Sequence, residues 1–166
     1  MFEQSIKEGQ ESEIKFAQLA KLRGFLVEPA TGMEQFDHID FHLTSEEEEG
    51  TMTAMVDVKS RKRINRDDDD FSDEWLWIEF KNVRGKEGWI HGIADFIAFE
   101  TIDSFILSYR KELCDWCIDH VDVEEKVTSA DEAEYKAYSR KGKQDLIARI
   151  LKEDVIKLPH TQVWKK

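Results

Sequence analysis

Four residues within the first sixty, Glu13, Asp40, Asp57 and Lys59, are of the types that metal-assisted phosphate chemistry uses. Asp57 and Lys59 flank Val58, so in an extended segment both side chains point to one face. Asp40 lies in Phe36-Asp37-His38-Ile39-Asp40-Phe41-His42-Leu43, where Ile39, Phe41 and Leu43 alternate with His38, Asp40 and His42. At about 100° per residue Glu13 falls within the arc of Phe16, Ala17 and Ala20, whereas Glu8 and Glu11 lie opposite. A carboxylate on the packed side of a helix costs free energy unless a cation or hydrogen-bond donors meet it. Each residue also has an ordinary explanation: a helix-edge glutamate reaching water, a solvated strand face, a surface ion pair. Together they suit one hard cation. Two carboxylates at strand ends can share it with several waters. Bound to a phosphate oxygen, such an ion polarises phosphorus and lowers the pKa of an attacking water. The lysine is a compact charge that can orient that water or offset charge building on phosphorus.

Those residues need elements to hold them. Residues 5–23 read as a helix that stops at Gly24, a suitable residue just past a helix end. Gly24-Phe25-Leu26-Val27 starts an extended segment. Period-two alternation marks strands at Asp37 to Leu43, Thr51 to Lys59 and Trp75 to Lys81, and the acidic loops between them suit a meander. Gly85 to Gly92 is a glycine-punctuated loop. Ile93 to Glu100 reads as a fourth strand, with Ser104 to Leu107 pairing with it or extending it. Tyr109 to His120 reads as a helix through Leu113, Trp116 and Cys117. Residues 121–142 are polar, and Gln144 to Glu153 reads as a short helix through Leu146, Ile147, Ile150 and Leu151. The expected class is α/β: a helix, a small mixed sheet of four to five strands, then further helices. The chain reads as a single domain over 1–166, with a core at about 5–120 and a helical extension at about 121–166.

With 166 residues, 40% hydrophobic and 11% aromatic, the chain can bury a core and is not a disordered polymer. No apolar run approaches the roughly 18 residues of a membrane span. The first residues lack the basic-then-apolar pattern of a secretory signal. Two cysteines cannot make a disulfide scaffold, which points to a reducing, cytoplasmic compartment. Cys114, Cys117 and His120 have ligand-like spacing but lack a second pair, and read as helix core. No Walker loop, GxGxxG or G-x-S-x-G occurs, so nucleotide hydrolysis, dinucleotide binding and α/β-hydrolase chemistry have no support. The net charge is -12, and Glu46 to Glu49 and Asp67 to Asp70 carry eight of the negative charges. Between these blocks Lys59, Arg61, Lys62, Arg63 and Arg66 place five positive charges in eight residues. The local field there can dock a phosphate even though the whole chain is acidic.

A helix with a glutamate, a strand with an aspartate and a strand with (D/E)-x-K is the motif order of the PD-(D/E)XK nuclease superfamily. The chain resembles that superfamily through Glu13 in GQESEIKFAQLAKLRGF, Asp40 in FDHIDFHL, and Asp57 and Lys59 in MVDVKS. The first helix looks like that of the Holliday junction resolvase branch. The resemblance covers about residues 9–100; Ile39 stands where the motif has proline, and Asp57 where glutamate is frequent. It implies a restriction-endonuclease-like core and a Mg²⁺-dependent DNA endonuclease, with Mn²⁺ as a substitute ion. Asp40 and Asp57 would ligate the metal with support from Glu13, and Lys59 would position the water. A second register takes Asp57 as the first acid and Glu79-Phe80-Lys81 as (D/E)-x-K; the first keeps the order of elements tighter. Glu79 could be an outer ligand in either. Arg61, Lys62, Arg63, Arg66, Lys81, Arg84 and Lys86 would contact DNA phosphates. The Gly85–Gly92 loop could offer amides to a phosphate. Trp75, Trp77 and Trp89 would either stack on bases or pack, and His38 could assist at the site. Cutting a duplex or a junction implies a homodimer. The rival expectation is a module that keeps the fold but not cleavage, binding protein or acting as an acidic DNA mimic.

Overall fold

The computed structural model describes residues 2–47 and 49–166. Its first element, α1 (Phe2–Leu22), ends as the sequence expects: Gly24 has φ +94°, and the amides of Phe25 and Gly24 return to the carbonyls of Ala20 and Lys21. These two bonds satisfy carbonyls that the helix end leaves open. The chain then forms β1 (Leu26–Pro29), a five-residue helix α2 (Gly32–Phe36), β2 (Phe41–Glu47) and β3 (Gly50–Lys59). A long loop leads to β4 (Trp75–Lys81), a 3-10 turn at Trp89–His91, then β5 (Phe96–Glu100), β6 (Ser104–Tyr109) and α3 (Arg110–His120). The remainder holds β7 (Asp122–Val127), β8 (Lys136–Tyr138), β9 (Leu146–Leu151), α4 (Lys152–Ile156) and β10 (Gln162–Lys165).

Among the described residues the strands form two sheets. One has six strands in the order β1-β2-β3-β5-β6-β10, and the other has four in the order β4-β9-β8-β7. Neighbours in the larger sheet are antiparallel except β3 and β5, which run parallel from Val56–Phe96 to Lys59–Phe99. Its faces alternate as strand geometry requires. Val56, Val58, Ala98, Phe105 and Leu107 join Phe16 and Ala20 of α1 and Trp164 in one core. Ile97, Phe99 and Ile106 point the other way. They meet Leu76, Ile78 and Phe80 of β4, Ala148 and Ile150 of β9, and Leu113 and Cys117 of α3. Phe16 anchors the first core, stacked on Trp164 at 5.8 Å and edge-on to Phe105 at 5.3 Å.

The α/β class holds, but several expected elements differ. The main sheet has six strands instead of four to five, and β4 belongs to the second sheet, so the strands from 37 to 81 are not one meander. Asp37 and His38 form a turn, Ile39 and Asp40 lead out of it, and the strand begins at Phe41. The stretch read as a helix at Gln144 to Glu153 is mostly β9. It lies between β4 and β8 and is covered on both faces, which makes a strand nearly continuously apolar and hides its period of two. Residues 121–166 are therefore not a helical extension: they hold four strands and one short helix, and β10 completes the main sheet beside β6.

Candidate active site

β3 runs beyond the start of β2, which leaves the Val58 amide without a strand partner on that side. The side chain of Asp40 fills the gap: Val58 N–H donates to Asp40 Oδ2 at 2.7 Å. The backbone of Asp40 is held from both sides, its N–H donating to Val56 O at 2.9 Å and its carbonyl accepting from Ala30 N–H at 2.8 Å. Asp40 is thus fixed in the sheet one residue before β2. Asp57 and Lys59 follow on β3 with the parity opposite to Val56 and Val58, so they point away from the α1 core. Asp57 is 3% exposed, and its Oδ2 lies 3.0 Å from Lys59 Nζ. That contact is ionic; Asp57 Oδ2 has no well-directed hydrogen-bond donor. Lys59 Nζ also lies 4.9 Å from the centre of the Trp89 ring, a cation–π contact that fixes the ammonium.

Glu13 reaches the same group from α1. Its carboxyl is pushed up to about 7, by burial first, then by Asp40 and Asp57, against the pull of Lys59. Asp57 is also pushed up to about 7. Burial is the main cause and Asp40 adds to it, while Lys59 pulls the other way. Glu13, Asp40 and Asp57 therefore lie close enough to act on one another, with Lys59 opposing them. Hard oxygen donors, a buried Asp57 oxygen without a directed donor and unneutralised charge fit a Mg²⁺-like ion. Among the described residues no group of three or more His, Cys, Asp or Glu side chains is placed to hold a metal ion.

The other candidates separate. Glu79 and Lys81 lie on β4, in the second sheet, and Glu79 is not among the groups that act on Glu13 or Asp57. Glu79 stays close to the rim, since the same imidazole, His38, feels Lys59, Glu79 and Asp40. His38 sits in the turn before Asp40 at φ +60°, not in a strand, and its pKa is lowered by burial and then by Lys59.

Much of the basic segment is committed within the chain. Arg61 pairs with Asp73 at 3.5 Å, and Arg63 pairs with Glu8 at 3.5 Å while lying over Phe71. Lys62 donates to Ser60 Oγ at 3.1 Å, and its ammonium is held below the usual lysine value by desolvation and then by Lys59. Arg66 is exposed and has no ion pair among the described residues, and Lys81, Arg84 and Lys86 are exposed around the turn after β4. That turn spends its amides internally. Arg84 and Lys86 donate to Asn82 Oδ1, Gly85 to Asn82 O and Gly88 to Phe80 O. Gly88 is there for close packing, since a Cβ on it would stand 2.3 Å from Glu79 O.

The tryptophans pack instead of presenting free faces. Trp89 lies edge-on to Phe99, and Arg149 covers Trp75 at 4.9 Å and Trp77 at 5.8 Å. The part Trp89 plays beneath Lys59 was not visible in the sequence, where Trp89 stood out only as a ring that would stack on a base or pack. Cys114 and Cys117 are buried free thiols of α3, and burial pushes Cys117 up to about 12. No helix is long and apolar enough to cross a membrane, among the described residues. Comparison with protein-family models, with curated proteins and with solved structures gave no match.

Proposed function

We propose that this chain is a divalent-metal-dependent endonuclease of the PD-(D/E)XK kind, with Mg²⁺ as the ion and DNA as the substrate. The observation that carries the reading is the meeting of Asp40, Asp57 and Glu13 around Lys59, from three separate elements in the motif order of that superfamily. A sheet in which β1, β2 and β3 run antiparallel and a parallel β5 follows supports it as a restriction-endonuclease-like core. When bound, the ion would polarise a phosphodiester oxygen and make a bound water more acidic. Asp40 and Asp57 would hold it, and Glu13 would take part through its carboxyl. Lys59, fixed between Asp57 and the Trp89 ring, would orient the attacking water and offset charge on phosphorus. Lys62 and Arg66 stand next along the chain as phosphate contacts. Cutting both strands of a duplex or junction takes two such sites, hence a homodimer.

The test is cleavage of plasmid and branched DNA in Mg²⁺ or Mn²⁺ by the full chain and by Lys59→Ala and Asp57→Asn. Metal-dependent cutting lost in both variants, with unchanged circular dichroism, supports the reading; cutting that survives Asp57→Asn contradicts the site. The net charge of -12 and the internal pairing of Arg61 and Arg63 favour a second reading, a non-cutting binding module. It predicts DNA affinity that is absent or nearly independent of salt, where phosphate contacts give a steep decline.

A further inference from the structure

β4 and β9 are neighbours in the second sheet, and Lys81 is in register with Leu146. The turn that follows β4 and the turn that precedes β9 therefore stand side by side at one end of that sheet. They are tied together: Gln144 N–H donates to Val83 O at 3.2 Å, and a Cβ on Gly85 would stand 2.8 Å from Gln144 Oε1. Each turn is also closed on itself. Asn82 N–H donates to Lys86 O at 2.8 Å, and Gly85 N–H donates to Asn82 O at 2.9 Å. Lys143 N–H donates to Arg140 O at 2.9 Å, and the buried Asp145 carboxylate accepts from Arg140 N–H at 3.0 Å and from Arg140 Nε at 2.6 Å. The two tips share one pattern, Arg84-Gly85-Lys86 and Lys141-Gly142-Lys143. Their glycines have φ +77° and +75°, a left-handed conformation that favours glycine. Arg84, Lys86, Lys141 and Lys143 are all exposed, and none has an ion pair among the described residues. Short paths join both turns to the Lys59 group. Lys86 is three residues from Trp89, which keeps their Cα atoms within about 11 Å, and Lys59 Nζ lies 4.9 Å from the Trp89 ring centre. Tyr138, two residues before Arg140, lies 6.5 Å from Trp77 between ring centres, and Trp77 Nε1 donates to Arg63 O at 3.0 Å.

We infer that Arg84, Lys86, Lys141 and Lys143 form one anchor for the phosphate backbone of DNA, flanking the phosphate that reacts at Lys59. The inference rests on the nuclease reading and adds to it a subsite on the turn over Arg140–Lys143, which that reading leaves without a role. Four exposed cations with no partner inside the chain gain by displacing the counterions condensed on a polyanion. An acidic protein is a poorer occupant, because Val83 is the one exposed large hydrophobic residue on the two turns and lysine is depleted in protein interfaces. A membrane is a plane, so docking there would bring more of a chain of net charge -12 against an anionic surface. A DNA duplex is a rod and can lie along the turns of the second sheet alone. The strands within residues 24–58, a stretch with nine carboxylates and no lysine or arginine, belong to the other sheet.

The experiment measures binding of the full chain to duplex DNA, in Ca²⁺ without Mg²⁺, over a range of salt concentrations. Arg84→Gln with Lys86→Gln, and Lys141→Gln with Lys143→Gln, should each reduce the slope of log affinity against log salt by about 2. All four substitutions together should reduce it by about 3 to 4 and weaken binding at low salt by about 100-fold or more. Lys111→Gln with Lys157→Gln removes the same charge from exposed positions outside the turns and should leave the slope within about 0.5 of wild type. Phosphatidylserine vesicles should not sediment the protein. No DNA binding by the wild type, a wild-type slope in the Lys141→Gln, Lys143→Gln variant, an equal loss in the Lys111→Gln, Lys157→Gln variant, or vesicle binding that the fourfold variant loses would each overturn the anchor. Cleavage in Mg²⁺ by wild type against Lys59→Ala reads the nuclease proposal separately. Binding that follows the turns without any cutting rejects the nuclease alone, and cutting with unchanged slopes rejects the anchor alone.

Discussion

Two clusters of buried acid lie near the same end of the paired strands β3 and β5, where Lys59 is in register with Phe99, and are treated in opposite ways. At the end of β5, Glu100 is met by the Ser12 hydroxyl of α1, by Lys166 Nζ at 2.8 Å and by Lys15 Nζ at 3.6 Å. Burial alone would raise its pKa, but Lys166, Ser12 and Lys15 together hold it below the usual carboxylate value. Around Asp57, three carboxyls share one lysine, and Glu13 and Asp57 are both pushed up to about 7. The first cluster is complete, tying α1 and the last residue to the sheet. The second lacks positive charge, a deficit that a purely structural ion pair would not carry, and perturbed carboxyls of this kind mark functional sites.

The largest expected effect sets the chemistry of one cluster against the inertness of the other. Lys59→Ala should lower Mg²⁺-dependent cleavage by about 100-fold or more, whereas Glu100→Gln should leave the cleavage rate of the folded protein within about twofold. Next come stabilities of opposite sign, read by urea denaturation without metal at pH 8. Glu100→Gln should cost about 2 kcal/mol, since it strips the charge from a paired, buried acid. Asp57→Asn should instead be neutral or stabilising, by up to about 2 kcal/mol, because it removes a buried charge that Lys59 only partly balances.

The pH dependence follows the same division. Glu13 and Asp57 bind protons more tightly folded than unfolded, so their contribution to metal-free stability falls as pH rises from about 4 to about 7 and then levels. Glu100 runs the other way: its contribution is present above the ordinary carboxylate pKa and is lost as pH falls through its lowered value. Melting curves from about pH 2.5 to 8 for wild type, Asp57→Asn and Glu100→Gln separate the two slopes. The smallest expected effect is that of Arg61→Ala, whose half-buried pair with Asp73 should contribute under about 1 kcal/mol.

The sequence made one cluster legible and hid the other. Asp57 and Lys59 are two apart in an alternating strand, and Glu13 interrupts an apolar arc, so local period exposed them. Ser12, Glu100 and Lys166 come from the start, middle and end of the chain, and only folding joins them. The same contrast runs through the fold. The end of α1 at Gly24 and the limits of β4 could be read locally, since each carries its own stop signal or alternation. The second sheet could not, because β4 pairs with β9 some seventy residues later and β9 is covered on both faces. Asp40 could be identified by its neighbours, but not its position one residue ahead of β2, where its side chain takes the place of a strand carbonyl for Val58.

The most direct test of the charge-deficient cluster as a metal site is calorimetric titration of Mn²⁺ into the full chain at pH 7, in two buffers of different ionisation enthalpy. The account predicts a saturable site whose filling releases roughly one proton as the raised carboxyls ionise, and its loss in Asp57→Asn. Binding that is absent in the wild type, or unchanged by both Asp57→Asn and Asp40→Asn, would contradict it.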